Sequence, residues 1–189
     1  MPALVLLREL SVVTIGEILW DEVGTEKHLG GATLNFAYHA HAMGSPSYVI
    51  SRVGNDVLGD KAINGLKKLG ISEQYVQRDS VHPTGTVLAT VDITGSAEYE
   101  FPPSVAWDYI EMDADAMTAL DDAGVIAFGS LAQRSDVSRN TIRTILDSAP
   151  PNALCVLDLN LRTPHYTPEV IETSFGYADV VKVNLDELQ

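Results

Sequence analysis

Apolar runs rich in β-branched residues recur along this sequence and alternate with stretches that have the composition of helices. Six such runs are present: SVVTIG (11–16), SYVISRVG (47–54), GTVLATVDI (85–93), GVIAFGSL (124–131), ALCVLDLN (153–160) and DVVKVN (179–184). All but the third are typical of strands inside a sheet that is covered on both faces. The intervening stretches are TLNFAYHAHAMG, DVLGDKAINGLKKLG, DADAMTALDDAG, SDVSRNTIRTILDSA and TPEVIETSFGYA. This alternation predicts one α/β domain around a largely parallel sheet.

The third run has the pattern of a strand with one exposed face. Its apolar residues alternate with polar ones, the chain turns at TGS, and the pattern resumes in AEYEF, so a hairpin is predicted over about residues 84–102. The glycine-bounded stretch at about residues 20–30 could pair with this hairpin. Together the two insertions predict a small β lid over the carboxyl edge of the sheet, where open α/β sheets bind ligands.

Charge and cysteine content exclude several classes of function. The formal net charge of -14 would repel a nucleic-acid backbone, and no local run of Lys and Arg offsets it, so no nucleic-acid partner is expected. Cys155 is the only cysteine and lies in an apolar run, which favours a buried thiol in a reducing, cytoplasmic setting. The beginning, MPALVLLREL, has neither a basic n-region nor the length of a membrane span. Neither a signal peptide nor a membrane anchor is expected.

Two acids follow the first predicted strand in GEILWDEV. Glu17 and Asp21 are therefore expected near the ligand edge of the sheet. A carboxylate in that position can accept hydrogen bonds from two adjacent hydroxyls of a polyol. The alternative is that both are solvated loop acids.

A double glycine directly precedes the first helix in HLGGATLNFAYHA. Gly30 and Gly31 would leave the N–H groups at the helix N-terminus open to a ligand oxygen, and Asn35 could add a side-chain amide. The alternative is a glycine turn with Thr33 as the helix cap. The sequence has no glycine triplet of the dinucleotide-binding type after the first strand and no Walker A motif, which disfavours a nicotinamide-dependent enzyme.

The run LDLNLR places polar residues at strand spacing. Asp158, Asn160 and Arg162 would share one face, so three polar groups would converge where the strand ends. A buried strand seldom carries that many polar side chains without a ligand or a network that satisfies them. The alternative is an internal Asp–Arg pair that stabilises the loop.

Asn184 and Glu187 follow the last predicted strand three residues apart. On a loop that enters a helix they could face one volume and hold a hydrated Mg²⁺ and phosphate oxygens. The alternative for Glu187 is a first-turn helix acid that complements the helix dipole.

Taken in order, six segments carry a family resemblance: GEILWD, GGATLNFA, RVGNDVLGDKAINGLKKLGI, FGSLAQRS, DLNLR and KVNLDEL. From about residue 12 to the end, they resemble the successive motifs of the ribokinase-like (PfkB) carbohydrate kinases, most closely the fructokinase-like branch. The resemblance implies a Rossmann-like three-layer α/β/α fold with a small β lid. It also implies ATP-dependent phosphorylation of a primary hydroxyl of a sugar, such as the ketohexose fructose.

The resemblance assigns roles to individual residues. It implies that Asp21, Gly30, Gly31 and Asn35 bind sugar hydroxyls, that Gln133 and Arg162 line the same pocket, and that Tyr99 and Phe101 cover the substrate from the lid. It implies that Asn160, Asn184 and Glu187 belong to the ATP side, with Glu187 contacting Mg²⁺ through water. Gly54, Asp56 and Gly59 match a signature whose role we take to be structural.

One expected segment is not found. Members of the family continue past the Asn-x-x-Glu element to a GAGD segment, whose Asp is the catalytic base, and no GAGD occurs in these 189 residues. We therefore expect the C-terminal part of the fold to be missing and the activity of this chain alone to be doubtful. The alternative is a naturally short, non-catalytic module that binds sugar or another protein. Partners expected from the resemblance are a small-molecule sugar, ATP and a second copy paired through the lid.

Overall fold

The structure is a computed structural model that describes residues 10–91 and 97–188. The apolar beginning of the chain and the turn TGS predicted at residues 94–96 lie outside the described residues. The strands are β1 (Ser11–Ile15), β2 (Leu19–Val23), β3 (Glu26–Gly30), β4 (Ser47–Gly54), β5 (Val76–Asp79), β6 (Gly85–Val91), β7 (Ala97–Glu100), β8 (Ala123–Gly129), β9 (Leu154–Asp158) and β10 (Val180–Lys182). The helices are α1 (Ala32–Ala42), α2 (Val57–Lys68), α3 (Ala114–Thr118), α4 (Asp136–Asp147) and α5 (Pro168–Tyr177).

Six strands form a parallel central sheet in the order β10-β9-β8-β1-β4-β5. The chain leaves β1 in one direction along the sheet through β4 and β5, and later fills the other side through β8, β9 and β10. Because such crossovers are right-handed, α1 and α2 cover one face while α4 and α5 cover the other. The three-layer α/β/α architecture expected from the sequence is confirmed.

The buried apolar residues form two clusters, as expected for a sheet covered on both faces. One cluster joins the sheet to α4 and contains the fully buried Ile126, Ile142 and Ile145. The other joins it to α1 and α2 through residues such as Leu34 and Leu66. The strand order reverses at β1, where open α/β sheets leave a crevice at the carboxyl ends of the strands.

A second sheet of four strands has the order β3-β2-β6-β7. Its outer pairs are antiparallel hairpins, whereas β2 and β6 run parallel, with Trp20 opposite Thr86 and Asp21 opposite Val87. The hairpin predicted after residue 84 therefore stands apart from the central sheet and pairs with the insertion after β1. Part of its exposed face is formed by Leu88, which is 47% exposed.

Asp56 connects the two sheets. Its Oδ1 accepts hydrogen bonds from Gly59 N at 2.7 Å, which caps α2, and from the Thr84 hydroxyl at 2.7 Å. Its Oδ2 accepts from Thr84 N at 2.8 Å, immediately before β6. A Cβ at Gly54 or Gly59 would meet this network or the adjacent main chain at less than van der Waals distance. Gly54, Asp56 and Gly59 therefore have a structural role, because they hold the start of α2 against the start of β6.

Candidate functional site

A cavity of about 480 Å³ lies at the carboxyl ends of the central strands, beside the second sheet. It contains most of the predicted site residues. Its wall is formed by Glu17, Leu19, Asp21, Gly31, Ala32, Asn35, Phe36, His39, Ala40, Met43, Tyr99, Phe101, Leu131, Asp158, Asn160, Arg162 and Lys182. These residues come from the ends of several strands, the start of α1 and the second sheet, as the reversal of strand order at β1 predicts.

Asp21 projects from β2 into this cavity, and Gly30 makes room for it. A Cβ at Gly30 would overlap the Asp21 carboxylate, so any larger residue there would displace the acid. Burial raises the pKa of Asp21, and the positive charge of Arg162, followed by the electrostatic effect of His28, opposes that rise. The carboxylate is thus a partly desolvated acceptor, which suits recognition of neutral hydroxyl groups.

The double glycine forms the turn into α1, with Gly31 as the N-cap at φ 120°. The first turn of α1 contains no acidic residue, and the Gly31 cap provides no side-chain hydrogen bond. Thr33 is not the cap, because its buried hydroxyl instead donates to the main-chain oxygen of Glu17 at 3.0 Å. Asn35 is exposed and lines the cavity, one turn into the helix.

Glu17 is buried, and the solvated-acid alternative is therefore wrong for this residue. Its side chain is 2% exposed, and its Oε1 accepts a hydrogen bond from Ala32 N at 2.8 Å. Its Oε2 has no hydrogen-bond partner among the described residues. Burial raises the pKa of Glu17 and outweighs the hydrogen bonds that lower it, with the Asp158 charge adding to the rise.

Asp158, Asn160 and Arg162 all line the cavity, although only Asp158 belongs to β9. Asn160 adopts φ 38°, so the chain has left the extended conformation and strict alternation does not explain the convergence. Asp158 pairs with Lys182 rather than with Arg162, through Nζ–Oδ1 and Nζ–Oδ2 distances of 2.8 and 2.9 Å. The internal Asp158–Arg162 pair is not formed.

Two aromatic residues of the second-sheet segment close one side of the cavity. The guanidinium of Arg162 lies 4.9 Å from the centroid of the Tyr99 ring, and Tyr99 is 40% exposed. Phe101 is buried and packs edge-on against His165, with ring centroids 5.5 Å apart. These contacts connect the second sheet to the loop that carries Arg162, so the two walls of the cavity touch each other.

Gln133 does not line this cavity. Residues Leu131–Arg134 form a 3-10 turn that buries the Gln133 side chain. Its amide nitrogen donates to Gly129 O and to the Ser174 hydroxyl, each at 2.9 Å. The residue therefore fastens β8 to α5, and its amide is not placed for a ligand in the cavity.

Asn184 and Glu187 lie beside the cavity rather than in its wall, on the loop after β10. Glu187 accepts hydrogen bonds from Leu161 N at 2.8 Å and from Asn184 N at 2.9 Å. Asn184 Oδ1 accepts in turn from Asp186 N and Glu187 N. Each Glu187 oxygen can still accept a second hydrogen bond, whereas Asn184 Oδ1 already accepts two, so Glu187 fits a hydrated cation contacted through water better than a direct ligand. Within the described part of the chain, no cluster of three potential metal ligands occurs.

Sequence reasoning missed three cavity residues that had a usable signal. Lys182 is a cation that interrupts the apolar run DVVKVN and falls at the carboxyl end of a strand. His39 lies four residues after Asn35 and three after Phe36 on α1, so the face of the helix that contains Asn35 could have been extended to His39 and from it to Phe36.

Comparison with known proteins gives a consistent result. The pfkB family of carbohydrate kinases matches residues 9–189. A sugar kinase of Pyrococcus horikoshii is 28% identical over 195 residues, covering 94% of this chain and 62% of that protein. Fructokinase-2 of rice, Oryza sativa subsp. japonica, is 25% identical over 196 residues, covering 94% of this chain and 58% of its own.

Solved structures agree with the fold. The crystal structure of the Pyrococcus sugar kinase superimposes with a TM-score of 0.84 at 28% identity, covering 94% of this chain and 64% of that chain. That protein has also been crystallised in complex with ATP, and this second structure gives a TM-score of 0.83. A fructokinase of Xylella fastidiosa has a TM-score of 0.80 at 21% identity, covers 96% of this chain and 61% of its own, and supports the fold alone.

An α/β protein of the ribokinase-like architecture is therefore defined by the sheet order, the second sheet and the cavity between them. The chain belongs to the pfkB family of carbohydrate kinases. It spans less than two thirds of the length of the relatives described above. None of the helices in the described part of the chain has the length and apolarity that a membrane crossing requires.

Proposed function

We propose that this chain is the sugar-binding portion of an ATP-dependent kinase that phosphorylates a primary hydroxyl of a sugar, with a ketohexose such as fructose as the favoured substrate. The observation that carries the proposal is the convergence of Asp21, Asn35, Asn160 and Arg162 in one cavity at the strand ends. Because the chain belongs to a family of carbohydrate kinases, we interpret these converging polar residues as a sugar-binding site.

The polar groups of the cavity suit a neutral polyol. Asp21 accepts hydrogen bonds from hydroxyl groups, Asn35 both donates and accepts, and Arg162 donates. Gly31 lets the main chain approach the sugar, and Gly30 leaves the space that the Asp21 carboxylate occupies. Tyr99 and Phe101 lie where an apolar ring face would pack and where water must be excluded from phosphoryl transfer.

The phosphate side of the reaction is assigned to the end of the cavity near Asn160 and to the adjacent loop of Asn184 and Glu187. Mg²⁺, when bound, would offset the charge of the ATP phosphates, and Glu187 would contact it through water. In the proposed reaction the sugar hydroxyl attacks the γ-phosphoryl group in line. The base that takes the hydroxyl proton is assigned to a GAGD segment, which these 189 residues do not contain.

A second candidate is a non-catalytic sugar-binding module. It is favoured by a cavity that already has its sugar-side residues together. The two candidates differ in one product, since only the kinase releases ADP in the presence of sugar.

Two further properties belong to the proposal. Pairing of two copies through the second sheet would cover Leu88, whose side chain is 47% exposed on β6. Sedimentation of the wild type against Leu88→Lys tests it, because a dimer held by this face would dissociate in the variant.

The single buried cysteine fits a reducing, cytoplasmic compartment.

The testing experiment has two stages. Calorimetry with D-fructose, D-ribose and D-glucose first measures sugar binding by the wild type and by Asp21→Asn. We expect fructose to bind most tightly and the variant to lose about tenfold, the loss expected when a hydrogen bond to a charged group is weakened. Sugar-dependent ADP release in a coupled assay with MgATP then establishes the kinase and rules out the non-catalytic module. Absence of binding for all three sugars contradicts both candidates.

A further inference from the structure

Glu17 has an arrangement that core packing alone does not explain. It is 2% exposed, yet it is a carboxyl group with one oxygen lacking a hydrogen-bond partner among the described residues. An acid in such a position is costly, and an apolar residue of similar size is often neutral or more favourable there. The presence of an acid at this position therefore suggests a role beyond filling space.

The hydrogen-bonded oxygen of Glu17 substitutes for a helix cap. The first N–H groups of a helix have no partner within the helix, and the N-cap side chain normally accepts from one of them. In α1 the N-cap is Gly31, which has no side chain, and Glu17 reaches Ala32 N from outside the helix at 2.8 Å. The hydrogen bond that caps α1 thus comes from a residue outside the helix. The N-cap position itself, Gly31, has no side chain and stays open to a ligand.

The main chain of Glu17 holds the same turn from a second side. Its oxygen accepts from the Thr33 hydroxyl at 3.0 Å, and it lies so close to Gly31 that a Cβ there would overlap it. Side chain and main chain of one residue therefore fix Gly31, Ala32 and Thr33. Glu17 also lines the cavity next to Asn35 and Asp21.

We propose that Glu17 is a positioning residue of the sugar pocket, which caps α1 from a distance so that the double-glycine turn and Asn35 are held ready for the sugar. This inference rests on the proposed function for its ligand, but the positioning itself is a property of the free protein. It assigns to the Glu of GEILWD a role separate from that of Asp21, which contacts the sugar.

Three variants test it. Glu17→Met keeps the volume and removes the acceptor, Glu17→Gln keeps an oxygen that can accept from Ala32 N, and Glu17→Asp keeps the acid but shortens it. Thr141→Val is the control, because Thr141 is also buried and its hydroxyl donates to Ile110 O at 2.7 Å, outside the cavity wall. Each is compared in amide hydrogen exchange at residues 31–35 and in D-fructose affinity by calorimetry.

The expected result is specific to the turn. Glu17→Met and Glu17→Asp should speed exchange at Ala32 and weaken fructose binding by about tenfold, the effect of one lost hydrogen bond to a buried group. Glu17→Gln should show nearly the exchange rate at Ala32 and the fructose affinity of the wild type. Thr141→Val should change neither the exchange rate nor the affinity. If Glu17→Met does not fold, Glu17→Asp and Glu17→Gln still decide the comparison.

Two results would overturn the inference. One is that exchange at Ala32 and fructose affinity in Glu17→Asp equal those of the wild type. The other is that Glu17→Gln is as impaired as Glu17→Asp, because the charge rather than the cap would then matter. If the wild type binds no sugar, the proposed function fails, and the exchange data on the free protein still decide whether Glu17 holds the turn.

Discussion

Replacement of Asp56 by Ala should destabilise the protein more than removal of an ordinary helix cap. The substitution deletes the cap of α2 and both hydrogen bonds from Thr84. A lost cap costs about 1 kcal/mol. Two hydrogen bonds to a charged acceptor add about 1.5 kcal/mol each at the low end of their range. Because Asp56 is only half-buried, solvent weakens these contributions, and we expect the free energy of unfolding to fall by about 3 kcal/mol in total. The free energy of unfolding of a typical domain is only ~5–15 kcal/mol.

Urea unfolding followed by circular dichroism measures this loss. Asp113→Ala is the control, because Asp113 caps α3 by accepting from Ala116 N at 2.7 Å and has no hydrogen bond to the second sheet; its other partner is the exposed Gln77 amide at 2.8 Å. We expect about 1 kcal/mol for the control. The difference between the two variants then reports on the connection to Thr84. Thr84→Val in the Asp56→Ala background should cost about 1–3 kcal/mol more, because the Thr84 hydroxyl also accepts from the buried Gly54 N at 2.9 Å.

The pH dependence provides an independent check. Burial opposes ionisation of Asp56, but hydrogen bonds from Thr84 and Gly59 outweigh it and lower the pKa below its usual 3.8. A lowered pKa contributes stability that is present above the unfolded-state pKa and is lost as pH falls through the folded-state value. The difference in free energy of unfolding between the wild type and Asp56→Ala should therefore become smaller below about pH 4. Two results would refute this reasoning. One is that Asp56→Ala loses no more free energy of unfolding than Asp113→Ala, and the other is that its loss becomes larger in acid.

Three further outcomes are expected. Gly31→Ala should lower the melting temperature and abolish sugar binding, because its Cβ would overlap Glu17 O at a φ that favours glycine; unchanged binding would contradict the tight turn. Arg134→Met should cost about 3–5 kcal/mol in urea unfolding, since it removes the cation that pairs with the buried Asp108; a cost near zero would contradict it. Cys155 should react slowly with thiol reagents until urea unfolds the protein, because burial and then Asp179 raise its pKa; rapid labelling of folded protein would contradict this.

Strands of the central sheet were predictable because covered parallel strands are continuous apolar runs. β5 was missed, since VQRD has one apolar residue and its place at the edge depends on tertiary contacts. One such contact is the ion pair of Arg52 on β4 with Asp79, at 2.8 Å. A pair formed between distant segments leaves no periodic signal in the sequence.

The site was predictable in its location and less so in its contacts. Asp21 and Asn35 reach the cavity because strand ends and helix starts meet at one edge of the sheet. Gln133, which the family resemblance implied for the pocket, lies outside the cavity wall because a 3-10 turn buries its amide against α5. The burial of Glu17 was equally hidden, since an acid after a strand has the same sequence pattern whether solvent or a helix start faces it.

The parallel pairing of β2 with β6 determines when the cavity can form during folding. Residues 24–84 lie between the two strands and include α1, β4, α2 and β5. Closing so long a loop costs entropy that only later contacts repay, and pairing of distant segments is slow. Pulsed hydrogen exchange should therefore find the β2–β6 amides protected after those of β1 and β4. The binding wall would then acquire its shape after the part of the central sheet formed by β1 and β4.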